Sequence, residues 1–243
     1  MARVAVALVA VVALCGWTGV DRTTFDDDDH EPFALWYLTR DADDTYELRQ
    51  RPGAVRVSAP ADNVGHPQGS DTRALVWSPE VPASVDQEVC ASWTDATDWA
   101  QQGLALRIRP DEGGMRSLIV AKNTVYGAEW QLNVYSWDTA RRTPLQIHGA
   151  VALDHTMAFF QRPIPLPWTV CARTFRTLVW VKAWPSAEPE PRWSDAEHAG
   201  VVNVGEDWVY AGRPGWYAGH VEPGGSLGMH GLSARASATG SED

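Results

Sequence analysis

Lysine is almost missing from this chain: Lys122 and Lys182 are the only two among 20 basic residues, and the rest are arginine. Against 31 acidic residues this leaves a formal net charge of −11, which counts against nucleic acid or an anionic membrane surface as partner. Cysteine is scarce, with three residues, and the seven histidines show neither H-x-H nor H-E-x-x-H spacing, so a zinc centre is not indicated. No glycine-rich phosphate loop occurs, which counts against the common nucleotide binders. Helical periodicity is weak throughout. Only "TDATDWAQQG" has the makings of a helical turn or two, with Thr94 or Asp95 as N-cap.

Tryptophan is the excess: 13 against 5 phenylalanines and 6 tyrosines. The 243 residues suit one all-β domain, and a hydrophobic fraction of 44% supplies ample core. The opening "MARVAVALVAVVALCGWTGVDR" has Arg3 and then an apolar run from Val4, a secretory signal pattern. Cleavage near Gly19 is one reading. An uncleaved anchor is another, because Val4 to Val20 is just long enough to span a bilayer. A lipoprotein signal at Cys15 is a third, poorly served by Leu14. All three place the domain outside the cytoplasm. The expected organisation is a signal or membrane tether over 1–20, an acidic linker over 21–32, a sandwich over 33–236 and a frayed tail over 237–243.

Export makes the remaining cysteines informative. Cys90 in "EVCASW" and Cys171 in "TVCART" sit in matching contexts, each sharing strand parity with polar neighbours. Two cysteines on the same kind of face, in an oxidising compartment, predict a bridge between neighbouring strands. The rest of the chain is short period-two runs punctuated by glycine and proline, which indicates a two-sheet sandwich or barrel. "LALRIRPDEGG" places Leu104, Leu106 and Ile108 on one face before a turn. "FRTLVWVKAW" turns Val179, Val181 and Ala183 inward and leaves Leu178, Trp180, Lys182 and Trp184 outward.

"AEWQLNVYSWDT" poses the functional question. Trp130, Leu132 and Val134 form one apolar face. The opposite face is the row Glu129, Gln131, Asn133, Tyr135, Trp137. A solvated sheet face is polar in any secreted sandwich, so that row has a plain structural explanation as well as a functional one.

The run "CARTFRTLVWVKAWPSAEPEPRW", followed by "GWYAGHVEPGGSLGMHGLSA", resembles the closing strands of the concanavalin A-like lectin/glucanase superfamily, in particular its laminin-G-like members. In those a strand ending Lys-x-Trp leads into a loop with an acidic residue, proline and tryptophan. Here these are Lys182, Trp184, Glu190, Pro191 and Trp193. The chain is also similar to exported actinobacterial proteins of this kind. The resemblance covers residues 33–236 and implies an all-β, two-sheet antiparallel jelly roll whose concave sheet carries the ligand groove.

That implication gives the polar row a purpose. Sugars present hydroxyl rims and flat C–H faces, which amides, carboxylates and aromatic rings match. Glu129, Gln131, Asn133, Tyr135 and Trp137, with Trp180, Lys182 and Trp184, are expected to form one glycan groove. Catalysis is the alternative. Family-16-type glycosidases place Glu-x-Asp-x-(x)-Glu on one strand, and here Glu129 matches while Gln131 and Asn133 do not. A retaining mechanism would need a second carboxyl about 5–5.5 Å from Glu129. Glu188, Glu190 or Asp154 would have to provide it, with His220 a candidate base. "DDDDH" and "RDADDTYE" suggest calcium, which many superfamily members hold, but neither matches a specific site, so no cofactor is assigned. The expected function is non-catalytic binding of a cell-wall or extracellular polysaccharide in the cell envelope. An endo-acting glycosidase and a structural or protein-binding sandwich are the alternatives.

Overall fold

Period-two alternation decides which side of each strand is buried, and pairing decides which sheet it joins. The structure, a computed structural model, describes residues 23–25, 32–64, 70–97, 100–111, 113–123, 131–153, 158–159, 162–163 and 166–236. Strands are numbered β1 to β17 along the chain. The first sheet runs β15 (Ala199–Asn203), β14 (Leu178–Pro185), β13 (Trp168–Phe175), β6 (Gln87–Ala96), β17 (Ser226–Ala236), β4 (Ala54–Ser58), β3 (Glu47–Arg51), with β1 (Thr23–Thr24) also on β17. The second runs β10 (Leu145–Ala152), β9 (Gln131–Asp138), β8 (Gly114–Lys122), β7 (Gln101–Asp111), β16 (Arg213–Gly219), β5 (Arg73–Trp77), β2 (Ala34–Thr39). A small ribbon pairs β11 (Ala158–Phe159) with β12 (Arg162–Pro163). Every ladder in the two large sheets is antiparallel. The predicted two-sheet antiparallel sandwich is the fold.

The inward faces meet in one core. Val89, Ala91 and Trp93 of β6, Val170 and Ala172 of β13, and Val179, Val181 and Ala183 of β14 face Leu104 and Leu106 of β7, Leu118 and Val120 of β8, and Leu132 and Val134 of β9. Much of the tryptophan excess is spent here, because Trp93, Trp168, Trp208 and Trp216 are all fully buried. At roughly 25 cal/mol per Å² and about 150–250 Å² per ring, each contributes about 4–6 kcal/mol of transfer free energy. Trp216 also donates its indole N–H to the Cys90 carbonyl at 3.2 Å, which satisfies its one polar atom inside the core.

Three expectations change. Thr94 and Asp95 do not cap a helix. They extend β6, where Asp95 lies in register with Gly228 of β17, and ladder bonds outweigh the local capping preference. Ile108 does not share a face with Leu104 and Leu106. Arg107 takes a left-handed φ of 53° in a bulge, and Ile108 joins the cluster on the far side of the second sheet. The buried Arg107 guanidinium donates to the carbonyls of Val85 at 2.9 Å, Arg176 at 2.6 Å and Trp208, so the bulge holds three loops. Burial pulls its pKa down to about 10. Finally, part of the expected linker belongs to the sandwich: Thr23–Thr24 pair with β17, and Phe25 packs edge-on against Trp216 at 5.6 Å. Residues 1–22, 26–31 and 237–243 lie outside the described residues.

Candidate functional site

The predicted groove is divided in two by the topology. Gln131, Asn133, Tyr135 and Trp137 point outward from β9 in the second sheet. Trp180, Lys182 and Trp184 point outward from β14 in the first sheet. Leu132, Val134, Val179, Val181 and Ala183 fill the space between those strands. The two rows therefore stand on opposite outer faces and cannot grip one ligand together. Glu129 lies outside the described residues, as does Asp154.

On the second sheet, the aromatic part of the row is used internally. Trp137 is 4% exposed and Tyr135 is 7% exposed. Tyr217 of β16 lies across Gly103 of β7, where an added Cβ would come within 2.9 Å of the ring and 2.8 Å of the Val120 carbonyl oxygen. That glycine gives Tyr217 room to meet Tyr135 edge-to-face at 6.1 Å. The Tyr217 hydroxyl donates to Gln101 Oε1 at 3.0 Å, and Gln101 Nε2 donates to the Lys122 carbonyl at 2.7 Å. Burial raises the pKa of both phenols, so they stay neutral donors. Gln131 and Asn133 remain half-buried and are the reachable part of the row.

Arg73 closes the end of this face. It donates to Thr39 Oγ1 at 3.1 Å, the Asp71 carbonyl at 2.9 Å, Asp71 Oδ1 at 3.1 Å and His220 Nε2 at 3.1 Å. Its guanidinium also sits 5.7 Å from the Trp137 ring. Burial first, and Arg73 second, pull the His220 pKa down, so the imidazole accepts as a neutral ring. His220 is thus engaged in a structural network.

On the first sheet, the Lys-x-Trp strand and its loop fasten to each other. Lys182, 2% exposed, donates to Glu190 Oε1 at 2.6 Å and to the Pro191 carbonyl at 2.9 Å. Its ammonium lies 4.6 Å from the Trp193 ring and 5.3 Å from Trp184. Arg173 covers Trp193 from 4.4 Å and Trp180 from 5.5 Å. Beneath lies the disulfide Cys90–Cys171, joining directly opposed residues of β6 and β13, as the matching contexts predicted. Lys182, Trp184 and Glu190 are thereby a clamp on the loop. Glu190, held by the outward Lys182, also lies on the face away from β9, so it cannot serve as a second carboxyl to a catalyst on that strand.

Two partly exposed tryptophans were missed. Trp36 of β2 is 43% exposed on the outer face of the second sheet. Trp77 of β5, half-buried, is its diagonal neighbour, because Trp36 pairs with Leu75 and Ala34 pairs with Trp77. Leu75, between them, is fully buried and Ala34 is half-buried, so the two rings stand over covered apolar side chains at the sheet edge. In "ALWYLT" almost every position is apolar, so parity carries no inside–outside signal; the interior position of Ala74 and Val76 on the partner strand could have supplied it.

Of the two segments that suggested calcium, "DDDDH" lies outside the described residues, which leaves the loop "RDADDTYE". Asp44 Oδ1 accepts from the Val64 amide at 2.7 Å and Asp41 Oδ2 from the Asp71 amide at 2.7 Å, leaving Asp44 Oδ2 as a lone buried oxygen without a partner. Calcium takes six to eight oxygens, and no three acidic, histidine or cysteine side chains converge among the described residues. This loop does not fit the ion. Among the described residues no helix is long and apolar enough to cross a membrane.

No family model and no curated protein matches the chain. Solved structures do resemble it. A carbohydrate binding module, CBM66 from Bacillus subtilis, is 7% identical, with a TM-score of 0.43 over 83% of this chain and 91% of that one. A prokaryotic β-1,3-1,4-glucanase (lichenase) derived from a mouse hindgut metagenome is 8% identical, with a TM-score of 0.47 over 90% and 99%. A lectin from Bauhinia forficata in complex with GalNAc is 9% identical, with a TM-score of 0.48 over 91% and 100%. With identities this low and TM-scores below one half, these likenesses assign neither family nor activity. The fold rests on the sheets themselves.

Proposed function

We propose that this protein is an exported, non-catalytic glycan-binding module of the cell envelope, and that the outer face of its second sheet is the binding face. The observation that carries the reading is the Trp36–Trp77 pair: two diagonally neighbouring tryptophans, both partly exposed, at the edge of the second sheet. Such a surface suits the C–H faces of pyranose rings, and the half-buried Gln131 and Asn133 offer amides toward the other edge of the same sheet. Export is supported by the apolar N-terminal run and by the disulfide. An open platform gives modest affinity, since sugar hydroxyls stay in competition with water.

Tryptophan fluorescence of the full chain, titrated with cell-wall polysaccharides, tests the reading. A saturable shift, abolished by Trp36→Ala, is the expected result. Titrations that stay flat with every glycan, or binding indifferent to Trp36→Ala, would sink it. The burial of Trp137 and Trp184 favours a second reading, a sandwich that binds protein. That reading predicts retention of an envelope protein with no response to any glycan.

A further inference from the structure

The outer face of the first sheet carries a feature at odds with the composition. On an acidic chain, Arg49 of β3 stands directly opposite Arg56 of β4. The next outward rung is Arg51, Ala54 and His230, in register across β3, β4 and β17. Like charges directly opposite one another on paired strands are destabilising, so their persistence calls for a counter-charge. Among the described residues only part of it is supplied. Arg56 is pinned, donating to Asp95 Oδ2 at 2.8 Å and to Ser226 Oγ at 2.8 Å. That ion pair crosses Gly228, where an added Cβ would lie 2.5 Å from Asp95 Oδ1. Arg49 has a long contact with Glu47 at 3.5 Å between two well-exposed side chains. Arg51 is exposed, and no carboxylate among the described residues pairs with it. Together these groups rim a depression of about 270 Å³ whose floor includes Ala54 and Gly228.

We propose that this depression binds an oxyanion group, a carboxylate or a phosphodiester, carried on a polysaccharide. The guanidiniums of Arg49 and Arg51 present forked donors suited to planar or tetrahedral oxyanions, and Arg56, held by Asp95 and Ser226, adds positive charge at a fixed place on the rim. The depression is open, with Ala54, Val55 and Gly228 between the basic groups, so the flat face of a hydroxylated chain can cover its floor while an attached anion meets the arginines. Because the protein as a whole repels polyanions, binding must be local to this rung. The site faces away from the Trp36–Trp77 platform and does not rest on the reading given to it.

Equilibrium binding of the full chain to polygalacturonate, to poly(glycerol phosphate) and to a neutral glucan, at low and at high salt, tests the proposal. Saturable, salt-sensitive binding to polygalacturonate that falls by about tenfold or more in Arg49→Gln/Arg51→Gln supports it and assigns a carboxylate ligand. The same behaviour with poly(glycerol phosphate) supports it and assigns a phosphodiester. Both substituted side chains are exposed, so an unchanged melting temperature shows that the variant is folded. Polyanion binding untouched by the double substitution, or no binding to either polymer at low salt, overturns the proposal. Trp36→Ala is expected to leave polyanion binding unchanged, which separates this site's failure from failure of the platform.

Discussion

Removing the Cys90–Cys171 bridge by the double substitution Cys90→Ala/Cys171→Ala probes how far the sandwich depends on a single covalent tie. The bridged residues are 81 apart in sequence. In the chain-entropy account, closing a loop of that length lowers the entropy of the unfolded chain by about 15 cal/mol/K, or about 4.5 kcal/mol at room temperature. The bridge joins two interior strands of the first sheet and lies buried beside Trp184 and Trp193, so its loss also loosens the packing there. Since domains are stable by about 5–15 kcal/mol, a loss of this size removes from about a third to nearly all of the margin. Urea unfolding followed by tryptophan fluorescence measures it. With m of about 2 kcal/mol/M, the midpoint is expected to fall by roughly 2 M. A fall of less than about 0.5 M at unchanged m would refute the reasoning, because the unfolded chain would then gain little freedom from losing the bridge.

The Lys182 clamp predicts an asymmetry. Lys182→Met keeps an apolar stem between Trp184 and Trp193 and leaves Glu190 at the surface, so it should cost about 1 kcal/mol. Glu190→Ala strands a buried ammonium and should cost about 2 kcal/mol. Thermal melts giving the reverse order would show that packing of the stem does not decide the clamp's stability. Stability should also fall on acidification. Burial, reinforced by Arg73, lowers the His220 pKa, and burial lowers that of His148, so the unfolded chain binds more protons below the ordinary imidazole value of about 6.5. Their contribution is fully present above that value and is lost as pH falls through the folded pKa. Urea midpoints at pH 7.5 and 5 should differ less in His220→Gln than in the parent, and equal slopes would remove His220 from the account.

Sheet alternation was readable because it is local. Val179, Val181 and Ala183 point inward and Trp180, Lys182 and Trp184 outward, as period two demands. The bridge was readable because Cys90 and Cys171 share their parity with polar neighbours. The Lys-x-Trp strand and its acidic, proline- and tryptophan-bearing loop were seen as a motif, but not as a fastening: the contact between Lys182 and Glu190 exists only once the loop folds back over the sheet. Ile108 was misplaced because a bulge at Arg107 resets the alternation, and its cause, three distant carbonyls around one guanidinium, is tertiary.

By itself, then, the sequence determined the strand character of this protein, the inward and outward side of most strands, the disulfide and the acidic balance. Each follows from residues a few positions apart or from composition. Only the tertiary structure decided which outward faces coincide. A strand's parity says that a residue leaves the core but not through which sheet, and β9 and β14 leave on opposite sides. Pairing also set the burial of Trp137, the exposure of Trp36 and the opposition of Arg49 to Arg56, because each depends on what a neighbouring strand, remote in sequence, places beside it.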